Sequence, residues 1–391
     1  MVRIAALACL VLALCAPVAA AAGRAGTARA LAAQMRWAGG SSGAIAVDLD
    51  SGRTIYSLRA TTQRMPASVQ KLYTSVATLR RLGPGGRLGT GVLAGRAPDG
   101  AGVVRGDLYL RGSGDPTFDA IAAGSLAQQV ADAGIVTVTG RVRGDESAFD
   151  GLRGVPSSGF RLTSEVGPLS ALTFNRGRSG RSSPFWQRRP ARFAAAAFSK
   201  QLRAVGVDVR RSAATGTTPA GAPLVTEWRS APVADLLRLM NPPSDNFMAE
   251  TLVKVLGGST AGGTGVVREE LGELGIAPRV IDGSGLSRSD RTSPREVVTM
   301  LGAMGGDASF TGSLPVAGRS GTLAYRMRGT SAQDRCRAKT GTLRDVSALA
   351  GYCTTSRGAN VAFAFLMNYV SPYNARILQD RMTAALARYG P

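Results

Sequence analysis

The spacing of apolar residues changes several times along the chain, and each change marks an element. Residues 27–38 space their apolar positions as a short helix. From Ala44 to Leu58 the period drops to two. The runs Ala-Ile-Ala-Val-Asp-Leu and Arg-Thr-Ile-Tyr-Ser-Leu flank an Asp-Ser-Gly turn, which predicts a β-hairpin. Asp48 to Gly52 superficially resembles a calcium loop but lacks the remaining ligands and the closing glutamate, so a plain turn is expected. Pro66 then opens a helix whose stripe is Leu72, Val76 and Leu79, and Gly83-Pro84-Gly85-Gly86 stops it.

Between Leu88 and Thr226 the pattern becomes short strands and turns. Strands are predicted over 106–112 and 136–142, with helices over 126–133 and 191–205. Helical spacing returns at 233–240, 247–256, 264–274 and 294–304. A hairpin over 335–354, a strand over 360–369 and a last helix over 375–389 complete the chain. No internal repeat is present. Helices and strands thus alternate in an α/β fold whose main domain is split in sequence, 23–86 with 228–391, around an inserted, mainly-β domain at 87–227.

The first 22 residues stand apart. Arg3 precedes an apolar run from Ile4 to Val18, followed by the small residues Ala19 to Ala22. That order predicts a secretory signal over 1–22, since the run falls short of the roughly 20 residues a span needs. Cys15 follows Leu14, which does not suit a lipoprotein site. No later run is long enough for a transmembrane anchor, and the last helix is expected to pack on the body. The net charge of +21 comes nearly all from arginine. In an exported protein it suits peripheral association with an anionic cell envelope. No nucleic-acid motif accompanies it, so nucleic acid is not an expected partner.

The chemistry is bounded by an absence: the sequence has no histidine. Ser-His-Asp and Cys-His machinery is therefore excluded, and the commonest metal ligand is missing. The lysines are only Lys71, Lys200, Lys254 and Lys339, and two of them sit in short motifs. Ser68-Val69-Gln70-Lys71 places a hydroxyl and an amine three residues apart on one helix face. A serine hydroxyl needs a neighbouring base, and a lysine serves if burial and a second cation, here Lys339, lower its affinity for protons. Ser244-Asp245-Asn246 follows Pro242-Pro243 on a connection between helices. Ser244 there can relay a proton and Asn246 can bond a substrate amide. Lys339-Thr340-Gly341-Thr342 lies on a predicted strand whose glycine admits a second backbone, so a peptide can align as an extra strand. Lys339 and the hydroxyls of Thr340 and Thr342 can hold a carboxylate, and the N–H groups of Ser68 and Thr342 can form an oxyanion hole. No phosphate-binding loop, complete dinucleotide glycine motif or zinc-ligand spacing occurs, so no cofactor or metal is expected.

Without the signal, two cysteines remain. Cys336 and Cys353 are equidistant from Arg344-Asp345, and a hairpin turning there sets them opposite each other. Export favours a disulfide between them; the alternative is two buried thiols.

Taken together, the three motifs resemble the low-molecular-mass penicillin-binding proteins of the D-alanyl-D-alanine carboxypeptidase/endopeptidase family, class C type, which carry an insertion between the first two motifs. Gly106 to Leu110, Gly114 to Thr117, Gly167 to Leu172, Asp282 to Ser287 and Leu314 to Gly318 also resemble that family. The resemblance implies a penicillin-binding protein/β-lactamase-like transpeptidase fold, an antiparallel sheet flanked by helices. It implies a serine DD-peptidase acting on peptidoglycan stem peptides through a Ser68 acyl-enzyme, with β-lactams as acylating inhibitors. It further nominates Asp145 as the residue that binds the amine of a diamino acid side chain. Two alternatives stay open: a β-lactamase, although no Glu-x-x-Leu-Asn string is present, and a penicillin sensor or scaffold that does not turn over.

Overall fold

The computed structural model describes residues 23–180 and 185–391. The expected signal at 1–22 lies outside the described residues. From the N-terminus, helix α1 (Arg24–Met35) leads into strands β1 (Ser42–Asp48) and β2 (Thr54–Leu58), then helix α2 (Gln70–Leu82). Helix α2 ends at Gly83, whose φ of 72° only glycine adopts freely. Next come β3 (Gly89–Ala94), β4 (Val103–Val104), β5 (Leu108–Gly112), α3 (Ala120–Asp132), β6 (Thr137–Val138), β7 (Val142–Asp145), α4 (Pro190–Ala204), β8 (Asp208–Val209), β9 (Ala214–Thr215) and β10 (Leu224–Arg229). The chain closes with α5 (Val233–Met240), α6 (Asn246–Gly257), α7 (Thr260–Gly272), α8 (Pro294–Met304), α9 (Ala308–Thr311), β11 (Cys336–Leu343), β12 (Val346–Thr354), β13 (Asn360–Asn368) and α10 (Pro372–Ala387).

The two ends of the chain build one antiparallel sheet in the order β11-β12-β13-β1-β2. Both of its faces are covered, and β13 shows how. Ala362 and Ala364 turn to one core, with α2 and the helices after residue 228, while Phe363 and Phe365 turn to the other, with α1 and α10. A central strand buried on both faces reads as a continuous apolar run, which Val361 to Met367 is. The α/β class and the helix-flanked antiparallel sheet agree with the sequence.

Between these ends stands a second sheet, β10-β3-β5-β7-β9, with α3 and α4 packed on it and a small parallel sheet β4-β6-β8 beside it. One expectation fails here. The strand predicted over 136–142 is two strands in different sheets, β6 and β7. The chain breaks at Gly140, where a Cβ would strike the carbonyl of Gly106. The Asp107 carboxylate then accepts from Arg141 N–H at 2.9 Å and fixes the turn. Helix α3 also begins earlier than expected, because Asp119 caps it by accepting from the N–H groups of Ile121 and Ala122.

The hairpin of β11 and β12 turns at Arg344-Asp345, Leu343 facing Val346 and Cys336 facing Cys353. The two cysteines are joined as a disulfide.

Candidate active site

Ser68 lies on a single 3-10 turn, Ala67–Val69, that feeds α2. The serine is therefore just ahead of the α-helix expected to carry it. Ala67 has a φ of 47°, an uncommon conformation for a residue with a side chain. Two glycines let other segments close on this turn. At Gly341 of β11 a Cβ would lie 2.6 Å from Pro66 O and 3.0 Å from Ser68 N, and at Gly285 it would collide with Ala67 O. The first and third motifs touch only because residue 341 has no side chain.

Lys71, in the first turn of α2, is fully buried. Its ammonium donates three hydrogen bonds: to Ser68 Oγ at 2.9 Å, Asn246 Oδ1 at 2.7 Å and the Ser284 carbonyl at 2.7 Å. Burial pushes it down to about 8, against the attraction of Glu250, Asp282 and Asp245, which pulls it up. Lys339, equally buried, donates to Ser244 Oγ at 2.7 Å and to Thr340 O at 2.9 Å. Burial and then the charge of Lys71 hold Lys339 well below its ordinary value. The expected mutual effect of the two cations thus falls on Lys339. Each lysine holds one of the two serines.

Pro242 and Pro243 end the stretch after α5, and Ser244 follows with a φ of 63°. Asp245 caps α6 through Met248 N–H, and Asn246 is the first residue of that helix. The loop is gripped from outside as well. Arg176 pairs with the second oxygen of Asp245 and lies 5.4 Å over the Phe247 ring. Asn246 Nδ2 donates to Glu165 O at 3.3 Å.

β11 is an edge strand. Its outer side is covered as far as Ala338, whose N–H donates to Pro315 O, while Ala317 N–H donates to Cys336 O. By alternation, Thr340 and Thr342 carry the next outward-facing backbone groups. The Thr340 hydroxyl bonds Thr322 Oγ1 at 2.8 Å, and Arg376 of α10 donates to Thr342 Oγ1 at 3.2 Å. Beside this edge opens a cavity of about 630 Å3, lined by Glu165, Leu286, Arg288, Leu343 and Arg344 among others.

Ser68, Lys71, Ser244, Asn246, Lys339, Thr340, Gly341 and Thr342 are therefore brought together. Asp145 is not. It ends β7 in the second sheet, buried, with one oxygen accepting from Ser147 N–H at 2.9 Å and the other from Thr218 N–H at 2.7 Å. Its two oxygens thus accept from two backbone N–H groups, and the carboxylate holds a loop of the second sheet. Glu165 is the carboxylate that lines the cavity. Sequence reasoning missed it, along with Arg176, Glu250 and Arg376, because each reaches the site across a long stretch of chain and lies in no motif. Among the described residues no group of three or more His, Cys, Asp or Glu side chains could hold a metal ion.

The D-Ala-D-Ala carboxypeptidase 3 (S13) family model matches residues 26–178 and 175–389. The chain is 32% identical to the D-alanyl-D-alanine carboxypeptidase of Actinomadura sp. (strain R39), over 90% of this chain and 82% of that protein. It is also 32% identical to the carboxypeptidase DacB of Mycolicibacterium smegmatis, over 88% of this chain and 79% of the relative. Penicillin binding protein 4 from Haemophilus influenzae superposes with a TM-score of 0.77 at 22% identity, covering 90% of this chain and 97% of that one. This last likeness establishes the fold. Matched almost from end to end, and carrying its three motifs in one cleft, the chain belongs to the D-Ala-D-Ala carboxypeptidase 3 (S13) family.

Proposed function

We propose that the protein is an exported serine peptidase that removes or un-crosslinks the D-alanine termini of peptidoglycan stem peptides through a Ser68 acyl-enzyme. The family supports the reaction class, and one geometric observation supports the mechanism. Of the three partners of the Lys71 amine, the Asn246 amide oxygen and the Ser284 carbonyl can only accept. When Lys71 is neutral, its two N–H bonds go to those oxygens and its lone pair is left facing Ser68 Oγ–H.

Lys71 then takes the proton as Oγ attacks the D-alanine carbonyl carbon. The oxyanion settles between the N–H groups of Ser68 and Thr342, aimed where the charge develops. The C–N bond breaks and the leaving amine collects a proton by way of Ser244, whose hydroxyl is oriented by Lys339. Water, activated by the same base, releases the acyl group. The peptide lies along the open edge of β11, with its terminal carboxylate near Lys339, Thr340 and Thr342. A β-lactam acylates Ser68 and stays, because its leaving group remains tethered. Release of D-alanine from diacetyl-Lys-D-Ala-D-Ala, and of monomers from cross-linked muropeptides, tests the activity. Covalent labelling by a fluorescent penicillin must vanish in Ser68→Ala. Retained labelling in that variant, or rapid nitrocefin turnover without D-alanine release, overturns the proposal.

A further inference from the structure

Behind Lys71, on the side away from the cleft, three carboxyl groups are fully buried: Glu250, Asp282 and Asp290. The reaction above uses none of them. Glu250 stands one turn along α6 from Asn246. Its Oε1 accepts from Gly283 N–H at 3.1 Å and Ser284 N–H at 2.8 Å. The carbonyl of that same Ser284 is the acceptor for Lys71. Asp282 closes the loop from the other side, accepting from the N–H groups of Gly285 and Ser287, both at 2.7 Å. Gly285, with a φ of 83°, is pressed against Ala67 O beside the serine turn. The segment 282–287 is thus a rigid clip that touches both Ser68's turn and Lys71's amine, and Glu250 is the post that holds it.

The second oxygen of Glu250 has no hydrogen-bond partner. A buried carboxylate without an ion pair is costly, so such a group favours its neutral acid form. We propose that Glu250 is a positioning residue for Lys71: it aims the Ser284 carbonyl at the amine, and its carboxylate charge favours the ammonium that Lys71 becomes on taking the Ser68 proton. The catalytic part of this proposal rests on the serine mechanism given above. The Ser68 proton passes to neutral Lys71 and departs with the leaving amine, so Lys71 returns to its starting state.

The electrostatics agree. Burial, then Asp282, pushes Glu250 up to about 8, and burial brings Lys71 down to about 8, so the acid and the amine lose their protons over the same pH range. Lys71 faces Glu250 and Asp245 from α6, Asp282 with Asp290 behind it from the clip, and Lys339 from β11. Asp290, pushed up to about 9 by burial and by Asp282, adds little negative charge. Lys254, one turn beyond Glu250, is neutralised by Asp150 at 2.5 Å. Glu250 is therefore the group whose ionisation Lys71 feels most.

The test uses the full mature chain. Because lysines are so few, labelling them with 13C at Cε gives a spectrum in which Lys71 is assigned by its loss in Lys71→Met. Its titration midpoint is read in wild type and in Glu250→Gln, which keeps the acceptor oxygen and removes the charge. The midpoint is expected to fall by about one pH unit in E250Q, and the pH at which fluorescent penicillin acylates half-maximally should fall with it. Glu250→Ala, which frees the clip, should lower the maximal acylation rate about tenfold or more with the affinity for penicillin little changed. Should E250A not fold, E250Q alone decides. An unmoved Lys71 midpoint overturns the proposal whatever the acylation does. A midpoint that falls in a protein that never labels upholds the positioning role and overturns the serine mechanism instead.

Discussion

Lys71 is a buried amine satisfied by three acceptors, two of which cannot give a proton back. That arrangement ties rate to pH in one direction. Lys71 must be uncharged to receive the Ser68 proton, and burial has lowered it to about 8. Below that value the ammonium dominates and acylation slows; above it the neutral amine is available. The rate of fluorescent-penicillin acylation is expected to rise with pH to a plateau, half-maximal near 8, in stopped-flow measurements from pH 6 to 10. A flat profile would remove Lys71 as the base. At this scale the sequence was informative where residues act through neighbours in the chain. Ser68 and Lys71 are three apart, and the third motif is four consecutive residues. It did not show that the Asp145 carboxylate accepts from two backbone N–H groups, since that depends on where Thr218 ends up. Glu250 was invisible for the same reason: its partners Gly283 and Ser284 come from another part of the chain.

Between elements, the contact that makes the cleft is β11 against the serine turn. Replacing Gly341 with alanine puts a methyl 2.6 Å from Pro66 O and 3.0 Å from Ser68 N, both backbone atoms with no side-chain freedom to yield. Overpacking of this kind costs about 1–3 kcal/mol. Gly341→Ala is expected to lower the urea midpoint and, by moving Thr342 away from Ser68, to slow acylation more than it destabilises the fold. Equal effects on both would place the strain elsewhere. The disulfide belongs to the same hairpin but to its far end. It closes a loop with a sequence separation of 17, for which chain entropy predicts about 3 kcal/mol. Cys336→Ser with Cys353→Ser should melt at lower temperature yet still label at Ser68, because strand pairing, and not the sulfur bridge, sets the register at Thr340 and Thr342. The hairpin was legible because its cysteines flank the turn symmetrically and its strands alternate cleanly. The split of 136–142 was not, because nothing local distinguishes a strand that continues through Gly140 from one that changes sheets there.

Across the whole molecule, the segment between the motifs is tied to the core sheet's helices by charge. Lys254 of α6 is fully buried and meets Asp150, and Arg176 reaches Asp245 at the head of the same helix. Asn246 is also held by Glu165 O. One helix therefore carries the second motif at its N-terminus and is ion-paired to the stretch between the motifs at its cap, Asp245, and near its other end, Lys254. Arg176→Ala is expected to leave overall stability little changed, since its side chain is partly exposed. It should nonetheless lower the acylation rate severalfold by loosening the loop that aims Asn246 at Lys71. A melting temperature that drops sharply, with acylation intact, would make Arg176 a structural strut only. The sequence showed that a long stretch separates the motifs but not that it returns to them. The general architecture follows from periodicity, whereas these tertiary bonds do not.

The covered half of β11 limits what the protein can grip. Pro315 and Ala317 already occupy the strand as far as Ala338, so a guest chain finds only two outward rungs, at Thr340 and Thr342, before the turn at Arg344. A footprint that short can read the last two or three units of a chain and little more. A long guest chain gains no further backbone purchase by extending along it, so the sheet's boundary itself sets the length of edge open to pairing.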